Sequence, residues 1–167
     1  RVISHYGNDH KYHTVSGKML CYTLYLMPGT PICYQGEEIG MTNVDYEQLT
    51  DFRDVEVYTE YDNFISFGAK HEVAMQALRD RSRDNARSPY QWNNSMYAGF
   101  SDAMPWMNVV GNKDEINLEV QLQDKNSIHF TYKDVFQIRK EFDVANGTLT
   151  FIDIENPDSY IYLNELE

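Results

Sequence analysis

The sequence predicts an α/β chain, and three consecutive features carry that expectation. Residues 13–27 show helical spacing, residues 30–34 form a short β-branched and aromatic run, and a polar, acidic loop follows. Helix, then apolar strand, then long polar loop is the pattern of a sheet with helical connections.

Each element has its own signal. After the turn-like Tyr6-Gly7-Asn8-Asp9, Val15, Met19, Tyr22 and Leu26 recur at helical spacing, although most later positions are also apolar. A helix apolar on most sides is expected to be covered from more than one direction. Pro28-Gly29 stops it, and Thr30-Pro31-Ile32-Cys33-Tyr34 suits a buried parallel strand with Pro31 confined to its beginning. Gly36 closes that strand. A second helix is expected over 71–82, with Val73, Ala74, Ala77 and Leu78 on one face, and Ser88-Pro89 ends anything helical before it. Residues 88–126 have no sustained period and read as a long irregular stretch punctuated by aromatics. Asn126 or Ser127 can cap a helix over 128–142 whose inner face holds Ile128, Tyr132, Val135 and Phe136. Arg139 and Lys140 sit in its last turns, where positive charge is favoured. Asn146-Gly147 then turns into strands at 148–152 and 160–163, separated by Asn156-Pro157-Asp158. Two such strands do not make a stable sheet alone.

Charge excludes some functions. The chain has 167 residues, with 26 acidic against 14 basic side chains and a formal net charge of -12. Such a field repels phosphate, so nucleic acid and anionic membrane are not expected partners. No apolar run approaches the roughly 20 residues that cross a bilayer. The chain starts at Arg1 without a signal-peptide pattern, and is expected to be a piece of a longer, cytoplasmic protein. Residues 37–62 hold nine acids and one arginine, whereas Arg79, Arg81, Arg83 and Arg87 fall within nine residues. The 13 tyrosines, 8 phenylalanines and 2 tryptophans suit boundaries where one end of a ring is apolar and the other polar.

Several groups could carry chemistry. Glu37 and Glu38 are adjacent, and neighbours in sequence rarely face one substrate together, so they read as loop-holding groups. Arg83 and Arg87 lie four apart, on one helical face, and their rigid forks suit carboxylates or vicinal hydroxyls. Surface ion pairing is the plainer alternative. Trp92, Phe100 and Trp106 could stack on sugar faces or anchor the irregular stretch. His5, His10 and His13 miss the usual metal spacings, Ser88 and Cys33 lack a nucleophile's setting, and Gly36 and Gly40 are too sparse for a phosphate cradle. No metal or organic cofactor is expected.

An ordered series of motifs resembles one protein group. Gly29-Thr30-Pro31 leads to Tyr34-Gln35-Gly36-Glu37-Glu38-Ile39-Gly40-Met41-Thr42-Asn43; Arg83-Asp84-Asn85-Ala86-Arg87-Ser88-Pro89, Gln91-Trp92, Ala98-Gly99-Phe100, Pro105-Trp106, Ile116-Asn117 and Ile138-Arg139-Lys140 follow. Over residues 1–142 the chain resembles the α-amylase superfamily of glycoside hydrolases, on its oligo-1,6-glucosidase, dextran glucosidase and trehalose-6-phosphate hydrolase branch. The resemblance implies a C-terminal part of a (β/α)8 barrel over 1–142, from the seventh to the eighth helix with a long active-site loop, then the first strands of an all-β domain over 143–167. It implies a retaining α-glucosidase whose three catalytic carboxylates lie upstream, so that none is in this chain, with Arg1 matching an arginine just after the family's His-Asp pair. Arg83 matches an arginine that pairs with an active-site aspartate and helps hold the nonreducing glucose. Arg87 matches its companion near the acceptor site, and Glu56 looks like a loop glutamate approaching the acceptor sugar, against the plainer reading of an exposed acid in an acidic loop. The implied ligand is an α-linked gluco-oligosaccharide or trehalose 6-phosphate. Val57-Tyr58-Thr59 and Ser88-Pro89-Tyr90 depart from the common pattern on the acceptor side, which leaves linkage and phosphate preference open. The rival expectation is a noncatalytic structural or carbohydrate-binding remnant. Exposed sheet edges are expected to drive self-association.

Overall fold

Two separate apolar clusters hold the chain together. The computed structural model describes residues 1–166; Glu167, the end of the expected second region, lies outside them. The helices are α1 (Val2–Tyr6), α2 (His13–Tyr25), α3 (Val55–Ser66), α4 (His71–Arg81), α5 (Asp84–Arg87), α6 (Leu118–Gln123) and α7 (Ile128–Glu141), followed by strands β1 (Thr148–Ile152) and β2 (Ile161–Glu165). One cluster joins α1, α2 and α7 through Ile3, Leu20, Cys21, Tyr25, Ile128, Tyr132 and Val135. The other joins α3 and α4 to the loop before them through Ile39, Met41, Tyr46, Phe52, Val57, Met75 and Leu78. None of the helices among the described residues is long and apolar enough to cross a membrane.

The α7 helix forms where its pattern places it. Ser127 Oγ accepts from the Phe130 amide and caps the first turn. Ile128, Tyr132 and Val135 are buried, with Phe136 packed beside them. For α2 the range is also as expected, but the face is not. Ser16, Gly17, Leu20, Cys21 and Tyr25 turn inward, while Val15 is 67% exposed, Met19 50% and Tyr22 46%. A helix apolar almost all round offers no contrast from which to choose a face, so its neighbours α1 and α7 choose it. In α4, Met75 takes the buried place assigned to Val73, which is exposed.

The expected buried strand at 30–34 does not form. The single ladder among the described residues is the antiparallel pair β1–β2, and Ile32 is 84% exposed. A parallel strand exists only by pairing with another across a crossover, and residues 30–34 meet no such partner here. The described residues accordingly form no closed barrel. Conversely, the acidic loop contains an unexpected helix: Asp54 Oδ1 accepts from the Glu56 amide at 3.2 Å and caps α3, which anchors itself by burying Val57. Within the irregular stretch, Asn117 caps the short α6 in the same way.

The strands expected at 148–152 and 160–163 form, the second displaced to 161–165, and they pair antiparallel with Thr148 opposite Glu165 through Ile152 opposite Ile161. Two strands are marginal alone, and here they dock on the end of α2. Tyr162 Oη donates to the Tyr22 and Thr23 carbonyls, and Asn164 Nδ2 donates to the carbonyls of Leu26 and Val144. Arg139 completes the same cap. It is 7% exposed, and its guanidinium donates to the carbonyls of Tyr25, Met27 and Gly29, each at 2.6 Å. These are carbonyls that a helix end and the turn after it leave unpaired. Charge at the end of α7 was expected to serve its own helix; it serves α2.

Candidate functional site

The arginine run becomes a site because a distant acidic segment folds against it. Asp54, ahead of α3, is 5% exposed and accepts both arms of the Arg83 fork: Nε to Oδ2 at 2.7 Å and Nη2 to Oδ1 at 3.0 Å. Arg83 Nη2 also lies 2.9 Å from Glu56 Oε2, and that carboxylate is two-thirds exposed. Arg87 Nη1 reaches Asp84 Oδ1 at 3.1 Å and Asp54 Oδ2 at 3.7 Å. Arg83, Arg87 and Glu56 are thereby brought together, with Asp54 between them. The partners of Arg83 within the chain are Asp54 and Glu56.

The Arg83 guanidinium, ahead of opposing burial, holds the Asp54 carboxyl below its ordinary value. A depressed carboxylate stabilises the fold fully above the unfolded value of about 4. That stabilisation is lost as the pH falls through the lower folded value. We expect acid to undock α3 in that window, and Asp54→Asn to flatten the dependence. Far-ultraviolet circular dichroism from pH 6 to pH 2 reads both; identical acid profiles for the two proteins would reject the assignment.

Side-chain hydrogen bonds tie down the neighbouring loop. Tyr25 Oη donates to Glu37 Oε2 at 2.6 Å, and Tyr90 Oη donates to Glu38 Oε1 at 2.7 Å. Glu38 Oε2 accepts from the Gly36 amide as well. Both acids therefore hold the loop, as their adjacency implies. Burial, together with these carboxylates, pushes both phenols above their ordinary values. Arg1 ties this loop to the arginine segment, donating to the Gln35 carbonyl at 2.5 Å and to Ser88 Oγ at 2.9 Å. Arg53 Nε donates to the backbone carbonyl of Trp106 at 3.3 Å, and the Trp106 side chain is exposed. Trp92 is half-exposed against Tyr90, with ring centroids 4.6 Å apart.

Asp54 and Asp84 escaped sequence reasoning. The Asp84–Arg87 pair has an i,i+3 spacing that could have pointed to Asp84. Asp54 had only its place as a helix cap, two residues before a glutamate. Among the described residues, no three His, Cys, Asp or Glu side chains gather as a metal site.

Fixed guanidinium groups beside the exposed Glu56 carboxylate make a polar surface with donors and an acceptor close together. Known proteins similar to the chain include a glucosidase and two trehalose-6-phosphate hydrolases. The oligo-1,6-glucosidase of Halalkalibacterium halodurans is 39% identical over 163 residues, 97% of this chain and 29% of that protein. The trehalose-6-phosphate hydrolase of Bacillus subtilis is 42% identical over 164 residues, 98% of this chain and 29% of that protein. The crystal structure of Bacillus licheniformis trehalose-6-phosphate hydrolase superposes on the whole chain with a TM-score of 0.94 at 39% identity, and the chain covers 30% of it. The chain thus spans under a third of the length of these relatives. The family profile for the alpha-amylase catalytic domain matches residues 1–147. On that match, which covers most of its length, the chain belongs to the alpha-amylase family of sugar-hydrolysing enzymes.

Proposed function

We propose that this chain is the late part of the (β/α)8 barrel of an α-glucosidase, joined to the first strands of a β domain, and that it binds and orients short α-linked glucosides. The observation that supports this most is the Arg83 fork on Asp54, with Glu56 and Arg87 beside it. In the whole enzyme, a carboxylate from outside this chain attacks the anomeric carbon while a carboxylic acid protonates the leaving oxygen, and water then releases the sugar with retained configuration. This chain supplies fixed donors to the nonreducing glucose through Arg83, and the acceptor side through Arg87 and Glu56. Hydrolysis of trehalose 6-phosphate is the second reading, supported by the 42% identity to the Bacillus subtilis protein.

Isomaltose, p-nitrophenyl α-glucoside and trehalose 6-phosphate, each incubated with the full-length polypeptide that carries this segment, distinguish the two. Glucose release from isomaltose at a kcat/KM above that for trehalose 6-phosphate is expected; the reverse order establishes the second reading. The 167-residue chain alone is expected to release none; because residues 30–34 form no strand, self-association through exposed sheet edges is left to the edges of the β1–β2 hairpin. Turnover by the purified chain alone, or by neither protein, would overturn the proposal.

A further inference from the structure

Beyond the residues that face sugar, one fully buried carboxylate sets where they stand. Asp84 is 0% exposed. Its Oδ2 accepts two consecutive backbone amides, Arg53 N at 2.7 Å and Asp54 N at 3.0 Å. Its other oxygen, Oδ1, accepts from Arg87 Nη1 at 3.1 Å. The Arg53–Asp54 backbone and the Arg87 side chain, far apart in sequence, are thus held by the two oxygens of one carboxylate. The consequences reach every exposed member of the cluster. Asp54 carries the Arg83 fork, and Arg83 in turn holds Glu56. Arg53 carries the Trp106 carbonyl through its Nε.

We infer that Asp84 is a positioning residue for the acceptor side of the sugar site, orienting Arg87 through one oxygen while its other oxygen fixes the backbone from which Asp54 and Glu56 project. The inference rests on the proposed glucosidase reading. Both jobs use the carboxylate, but they differ in what they demand. The backbone amides need only an acceptor, which an asparagine oxygen supplies. Arg87 needs a second acceptor, and an asparagine would turn its NH2 donor toward the guanidinium instead. Asp84→Asn therefore separates orientation of Arg87 from mere support of the fold.

In the full-length polypeptide, Asp84→Asn is expected to lower kcat/KM for isomaltose about 10–100-fold, the loss of one charge-assisted contact to a substrate-facing group. The ratio of isomaltose to p-nitrophenyl α-glucoside kcat/KM should fall by about tenfold, because the aryl leaving group makes no sugar contacts there. Arg87→Ala should show the same ratio, and the double variant should be no worse than Arg87→Ala within about twofold, since the two residues act as one. Equal losses on both substrates, or additive losses in the double variant, would overturn the inference. If the wild type turns over neither glucoside, the glucosidase reading fails separately. Hydrogen exchange of peptides covering 53–56 then still decides the backbone role. Exchange should quicken in Asp84→Ala and stay near wild type in Asp84→Asn; unchanged exchange in Asp84→Ala rejects it. An Asp84→Ala protein that does not fold leaves the decision to Asp84→Asn, whose quickened exchange also rejects it.

Discussion

Arg83→Lys in the full-length polypeptide is expected to lower kcat/KM about 10–1,000-fold, equivalent to about 1.4–4 kcal/mol of transition-state stabilisation. Lysine keeps the charge, but it cannot span both oxygens of Asp54 as the guanidinium does at 2.7 and 3.0 Å. Losing the fork also frees Glu56, which Arg83 holds at 2.9 Å. The loss should therefore appear on both isomaltose and p-nitrophenyl α-glucoside. Glu56→Gln serves as the contrast: it leaves the Arg83–Asp54 pair in place and should shift preference among acceptor sugars more than attack on the aryl glucoside. Steady-state kinetics of both variants on both substrates settle the matter. Wild-type kcat/KM for Arg83→Lys on the two would remove Arg83 from the binding machinery and leave it a helper of the α3 cap.

Arg139→Met should destabilise the folded chain by about 3–5 kcal/mol, since a buried polar group left unpaired costs about 1–3 kcal/mol. Three carbonyls lose their donor at once, those of Tyr25, Met27 and Gly29. Water can return to the carbonyl of the exposed Gly29, which keeps the total below the sum of three full penalties. Lysine at 139 should fall between, because its ammonium cannot cover three carbonyls spread over five residues with the same planar geometry. The hairpin should loosen with it, for Tyr162 and Asn164 dock on the same end of α2. Urea midpoints followed by circular dichroism measure the effect; a shift worth less than about 0.5 kcal/mol would be no larger than a neutral surface change and would sink the claim.

Sequence by itself determined the elements whose information is local. Ser127 and the spacing of Ile128, Tyr132 and Val135 specify α7, the turn at Asn146-Gly147 leads into β1, and Arg83 and Arg87 stand four apart whatever surrounds them. The order of motifs carried the family, because the motif residues are written along the chain itself. Tertiary structure decided the rest. It turned Val15, Met19 and Tyr22 outward, since a nearly uniform apolar helix has no preferred face until α1 and α7 pack on it. It left residues 30–34 without a ladder, since a strand requires a neighbour's backbone. It made α3 out of an acidic run through the Asp54 cap and the burial of Val57, and it sent Arg139 to another helix's carbonyls. Above all it chose Asp54 and Asp84 from 26 acids. Periodicity reports which neighbours lie a turn away, whereas the partner of a charge some 30 residues distant exists only once two segments have folded together.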